Sequence, residues 1–100
     1  MAFYRLEKLV NLGDGYRKVF RIAQHEILLV HEAGQSYLFE NFCPHRGQAL
    51  TKSTIGAGKI VCPRHGFQFD LSSGQCVKGQ CSALTTYAAE YDRDYLGVSV

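Results

Sequence analysis

A chain of 100 residues with a net charge of +2 is the size of one domain, and its basic side chains are scattered rather than run together, which argues against a nucleic-acid partner. No apolar run approaches bilayer-spanning length, and residues 1–12 hold Glu7 and Lys8 without the apolar stretch of a secretory signal, so a monomeric, cytoplasmic protein with no membrane partner is expected. In that compartment the four cysteines are expected as reduced or metal-bound thiols rather than as a disulfide framework.

Residues 16–22 alternate polar and apolar side chains, as a half-buried strand does. Residues 26–31 are more uniformly apolar and predict an inner strand; the turn at 33–35 then leads to a strand at 36–40, giving a hairpin. A first cysteine-bearing loop follows at Cys43. A strand at 59–61 enters a second such loop at Cys62, and residues 67–70 leave it, turning at 72–74. Strands at 84–89 and 95–100, with a turn at 92–94, close the chain, and no window carries a helical stripe. Roughly nine or ten short strands predict an all-β fold, a small antiparallel sandwich or barrel. The expected organisation is one domain over residues 1–100, with residues 42–67 as a ligand-binding subdomain at one end.

The two loops read Cys43-Pro44-His45-Arg46-Gly47 and Cys62-Pro63-Arg64-His65-Gly66, that is C-x-H, 16 residues, then C-x-x-H. Two thiolates and two imidazoles on two loops are the ligand set of a Rieske [2Fe–2S] centre, in which two histidines replace two cysteines on one iron. A tetrahedral zinc site accepts the same residues. Zinc-finger spacing, however, pairs cysteine with cysteine and histidine with histidine, whereas each loop here carries one of each. Pro44 and Pro63 fix φ beside the cysteines, and Gly47 and Gly66 let backbone N–H groups approach an anion such as a bridging sulfide.

From Phe42 to Gly79 the chain resembles a Rieske-type ferredoxin of bacterial ring-hydroxylating dioxygenase systems. The resemblance is closest over Cys62-Pro63-Arg64-His65-Gly66-Phe67-Gln68-Phe69-Asp70, Ser73-Gly74 and Val77-Lys78-Gly79; the family usually continues Gly-Pro-Ala, where Gln80 and Cys81 stand here. It implies one [2Fe–2S] cluster held by Cys43, His45, Cys62 and His65. It also implies a one-electron carrier, with a flavin-dependent NAD(P)H reductase and a terminal oxygenase as transient partners. Oxygenase catalytic subunits add a long second domain for a mononuclear iron, so this polypeptide is not expected to be an enzyme alone. A non-catalytic subunit, such as the small subunit of nitrite reductase, shares the fold and is the alternative. A cluster-based redox sensor or a zinc-stabilised module is a further one. High-potential respiratory relatives carry an extra cysteine in each ligand loop and place a serine and a tyrosine hydroxyl against the cluster. The matching positions here are Gln48 and Arg64, and Phe67 and Phe69, which implies a low potential.

The other chemistry-bearing residues have plainer readings. His25, in a predicted turn, and His31, at a strand end, are expected to be structural. Cys76 and Cys81 are expected to pack as small hydrophobes, a disulfide between them being disfavoured in a reducing cell. Arg46 and Arg64 are expected on the rim of the ligand loops, where solvation and docking are equally served. No serine–histidine–aspartate set or carboxylate pair suggests catalysis.

Overall fold

The computed structural model describes residues 1–44, 47–63, 66–79 and 81–100. Among them, eleven strands form three antiparallel sheets. The first sheet has the order β1 (Phe3–Lys8), β11 (Tyr95–Ser99), β10 (Glu90–Asp92). The second runs β2 (Tyr16–Ile22), β3 (His25–Glu32), β4 (Gln35–Glu40), β9 (Thr86–Tyr87). The third runs β5 (Thr54–Gly56), β6 (Lys59–Val61), β7 (Gln68–Asp70), β8 (Cys76–Lys78). A single 3-10 turn, Leu9–Asn11, is the only helical element among the described residues, and no helix is long and apolar enough to cross a membrane.

Strand β3 explains the layering. Ile27, Leu28, Leu29 and Val30 are all buried, although successive side chains of a strand point to opposite faces. Ile27 and Leu29 join Leu38 of β4 and Leu96 and Val98 of β11 in one core. Leu28 and Val30 join Phe39 of β4, Ile60 of β6 and Phe69 of β7 in another. The second sheet is therefore the middle of three layers, and its central strand needs apolar side chains on both faces. That is why residues 26–31 show no alternation.

Tight turns connect the layers' hairpins. Ala33-Gly34 joins β3 to β4 and Ala57-Gly58 joins β5 to β6, both residues of each pair taking positive φ. Such mirror-image turns match the right-handed twist of the strands they link. The β1–β11 pair brings the chain ends together, Ala2 and Val100 each donating a backbone N–H to the other's carbonyl.

Three expectations change. Residues 84–89 pair only at Thr86–Tyr87, because Leu84 is drawn into the core and its N–H donates to the carbonyl of Gly74 instead of to a neighbouring strand. His25 does not lie in a turn; it opens β3 opposite Ile22, and the turn is the two residues before it. The strand count rises to eleven because β1, β5, β8 and β10 are short or lie at sheet edges, where few side chains report burial. The third sheet continues past Phe67 as far as Lys78.

Candidate metal centre

The two cysteine loops are built on one plan. Cys43 follows the end of β4, and Cys62 follows β6. Each cysteine's backbone N–H donates to the carbonyl five residues on, Cys43 to Gln48 and Cys62 to Phe67, both at 2.7 Å. Each loop turns on a glycine four residues after the cysteine, with φ +71° at Gly47 and +68° at Gly66. A proline follows each cysteine and is exposed, whereas the cysteines themselves are 1% and 2% exposed. The thiols thus point into the molecule from two matching tight turns, and both belong to the core that contains Leu28, Phe39, Leu50, Ile60 and Phe69.

Two buried thiols from twin loops, with no disulfide between them, suit a bridging cluster gripped from two sides. The matched placement of the two thiols in twin turns is what a shared cluster held from two sides requires, and packing alone asks for no such repetition. His45 and His65, the imidazole half of the expected ligand set, lie outside the described residues, as do Arg46 and Arg64. In sequence the two histidines sit one position apart within otherwise equivalent loops, the dipeptide being His-Arg in the first and Arg-His in the second.

The first loop is held by residues whose importance the sequence did not announce. Asn41 is 2% exposed. Its Nδ2 donates to Glu26 Oε2 at 2.9 Å and to Thr51 Oγ1 at 3.0 Å, and its Oδ1 accepts the Leu50 N–H at 3.0 Å. That set closes residues 42–49 into a loop at their base. Arg17 of β2 reaches across from the middle sheet, its Nη1 donating to the carbonyls of Thr51 at 2.8 Å and Ser53 at 2.7 Å. A lone asparagine is the clamp's one trace in the sequence, and its partners lie up to 15 residues away.

The second loop is braced from the other side. Gly79, at φ +107°, lies so close to Phe67 that a Cβ there would stand 2.8 Å from the ring. The segment after β8 therefore packs on the second loop. Cys81, in that segment, has its thiol pushed up to about 12 by burial, helped by its hydrogen bond with Cys76 and, to a smaller extent, by the charges of Cys76, Cys43 and Cys62. The Cys81 thiol is thus within electrostatic reach of the other three cysteines. The Asp70 carboxylate shapes the turn between β7 and β8, accepting from the Ser72 N–H, the Ser72 hydroxyl and the Ser73 N–H. These bonds hold its pKa below the usual carboxylate value, the Ser72 hydroxyl contributing most.

The two remaining histidines are structural, as expected. His25 Nδ1 shares a hydrogen bond with the Tyr87 hydroxyl at 3.2 Å, and His31 Nδ1 shares one with Ser36 Oγ at 2.8 Å.

Comparison with known proteins agrees with this geometry. A family model described as "Rieske [2Fe-2S] domain" matches residues 2–88. The ferredoxin component of the alkene monooxygenase system of Xanthobacter autotrophicus is 33% identical over 68 residues, 67% of this chain and 56% of that protein. The chain therefore spans little more than half the length of that curated relative. Two solved structures share the fold over nearly their whole length. The ferredoxin of carbazole 1,9a-dioxygenase from Nocardioides aromaticivorans has a TM-score of 0.86 at 24% identity, covering 99% of this chain and 98% of its own. The Sphingomonas yanoikuyae B1 ferredoxin has a TM-score of 0.87 at 21% identity, covering 99% of each.

Proposed function

The chain belongs to the Rieske [2Fe–2S] domain family, and on that premise we propose that it is a one-electron carrier, taking electrons from a flavin-dependent NAD(P)H reductase and delivering them to a terminal oxygenase. The bound Rieske-type [2Fe–2S] cluster supplies the redox chemistry, cycling by one electron. Cys43 and Cys62 hold one iron as thiolates, and His45 and His65 hold the other as neutral imidazoles. The observation that carries this reading is the pair of twin loops, each presenting a buried cysteine beside an exposed proline.

The chain's own residues do three jobs in this scheme. The loop backbones, closed by the Cys43–Gln48 and Cys62–Phe67 hydrogen bonds, fix where the two sulfur atoms are presented. The apolar core around them keeps water from the sulfur atoms. Pro44 and Pro63, exposed beside the buried cysteines, would lie on a small transient docking face, to which Arg46 and Arg64 would add positive charge. No catalytic residue is assigned, and the protein is proposed to be cytoplasmic and to act as a monomer without substrate chemistry of its own. The ferredoxin name of the alkene monooxygenase relative supports the carrier role.

Stopped-flow mixing tests the proposal. With NADH and a flavoprotein reductase of an oxygenase system, the oxidised chain should be bleached within seconds; NADH alone should leave it unchanged. Mixing the reduced chain with the terminal oxygenase should then restore its colour. Isolation only as a stoichiometric complex with a larger redox enzyme would contradict the carrier and favour the permanent-subunit alternative.

A further inference from the structure

Cys76 and Cys81 play no part in the proposed ligand set, yet they meet. Cys76 opens β8; after Lys78 the chain reverses at Gly79 and brings Cys81 back beside it. Their sulfur atoms are 3.4 Å apart, the Cys81 thiol donating to Cys76, whose own thiol faces the carbonyls of Lys78 and Gly79 at 3.5 Å. Both residues are partly exposed, so a small oxidant reaches them where it does not reach the buried Cys43 and Cys62. An S–S bond is about 2.05 Å long, so closure asks each sulfur to move by less than about 1 Å. The short loop between them contains a glycine and no proline, so little backbone stiffness opposes that shift.

We propose that Cys76 and Cys81 form a redox-switchable pair: a resting dithiol that a hydroperoxide closes to a disulfide, pinning the segment that braces the second ligand loop. In the first step the Cys76 sulfur, which accepts the Cys81 thiol's hydrogen bond, attacks the terminal oxygen of the hydroperoxide. The S–O bond forms as the O–O bond breaks, and an alcohol leaves with the thiol's proton. In the second step the other thiol attacks the sulfenic sulfur, the S–S bond forms, the S–O bond breaks and water leaves. In balance, two thiols lose two electrons and two protons, and the hydroperoxide becomes one alcohol and one water. A cytosolic thiol reductant reverses the change. Closure matters to the centre because Gly79 lies between the two cysteines in sequence and against the Phe67 ring in space.

Lys78 makes the test simple, since trypsin cuts between the two cysteines and leaves each as the sole cysteine of its peptide, residues 65–78 and 79–93. Holoprotein is treated with tert-butyl hydroperoxide at a dose that preserves its visible absorbance, alkylated, digested and mapped by mass spectrometry. The expected product, in most chains, is the two peptides joined and two hydrogens lighter than their sum, separating on addition of dithiothreitol. Cys76→Ser should abolish the joined species while leaving the visible spectrum of the untreated protein intact. Recovery of the two peptides unjoined, alkylated or carrying sulfinic acid, would overturn the proposal, as would linkage of either cysteine to Cys43 or Cys62.

Discussion

Cysteine and histidine are legible in this chain because cluster chemistry admits few residue types, and the C-x-H and C-x-x-H spacing survives any drift in the rest of the fold. Replacement of either Cys43 or Cys62 by serine should give colourless protein, whereas the unaltered protein, freshly isolated, should contain iron and acid-labile sulfide at about two each per chain. Stoichiometric zinc without sulfide would contradict the ligand assignment. Asn41 was not legible, since a lone asparagine carries no spacing and its partners Glu26, Leu50 and Thr51 are assembled only by the fold. Asn41→Ala removes four buried or partly buried bonds and strands the Leu50 N–H, so a loss of about 2–3 kcal/mol is expected in urea unfolding. Cluster loss should accelerate with it. A neutral result would mean that the first loop is held by its own turn and by Arg17 alone. The two phenylalanines also separate in their roles. Phe67 supports Gly79 but is only half-buried, so Phe67→Ser should cost less than the ~3–5 kcal/mol of a fully buried phenylalanine. Phe69, fully buried and paired with Ile60 and Cys76 across the third sheet, is the cleaner position for adding a hydroxyl donor. Phe69→Tyr is expected to raise the midpoint.

The longer strands β2, β3, β4 and β11 were readable from their patterns, but the six-residue edge strand β1 was not. The run at 26–31 predicted an inner strand because a middle layer demands apolar side chains on both faces, and β3 is that layer's central strand. Of the three-residue strands, β6 and β7 were marked by their place on either side of the second cysteine loop, whereas β5, β8 and β10 are too short to show a period. Residues 84–89 misled because apolar composition there serves a core anchor at Leu84 more than a ladder. The turns offer a test of the hairpins. Alanine at positive φ is strained, and Ala57-Gly58 has φ of +52° and +74°. Asparagine tolerates that region, so Ala57→Asn should raise the stability of the β5–β6 hairpin by about 0.5–1 kcal/mol, with the thermal midpoint as readout. The link between β1 and β2 should depend on pH. Glu7 Oε2 accepts the Tyr16 hydroxyl at 2.6 Å, and that bond, with those from Asn11 and the Lys8 N–H, lowers the carboxyl from 4.5 to about 2. A carboxyl lowered by folding stabilises the native state above its unfolded pKa and loses that contribution as pH falls through the folded value. The stability gap between the unaltered protein and Tyr16→Phe should therefore narrow from about pH 5 towards pH 2. A gap that stays constant over that range would remove the carboxylate from the account.

Three stacked sheets place the two cysteine loops on one side of the middle layer and pin both chain ends on the other, in the β1–β11 pair. The side proposed to exchange electrons is thus separated from the side that fixes the termini. On the exchanging side, both prolines beside the cysteines face solvent while the thiols do not, an arrangement suited to brief docking with two successive partners. Charge reversal at Arg46 or Arg64 should slow reduction by the reductase in a salt-dependent way with the visible spectrum unchanged. Equal rates in both variants would move the docking face elsewhere. The potential decides which partners are possible at all. The resemblance implies that Phe67 and Phe69 stand where high-potential relatives carry hydroxyl donors, and that Gln48 and Arg64 replace the cysteines of those relatives' inter-loop disulfide. Hydrogen bonds donated to cluster sulfur stabilise the more negative, reduced state, so their loss lowers the midpoint. Protein-film voltammetry of the unaltered protein at neutral pH measures that consequence directly. A low-potential carrier fed by a flavoprotein requires a value near the bottom of the Rieske range, about −150 mV, and a midpoint well above zero would contradict it and point to a quinol-type donor.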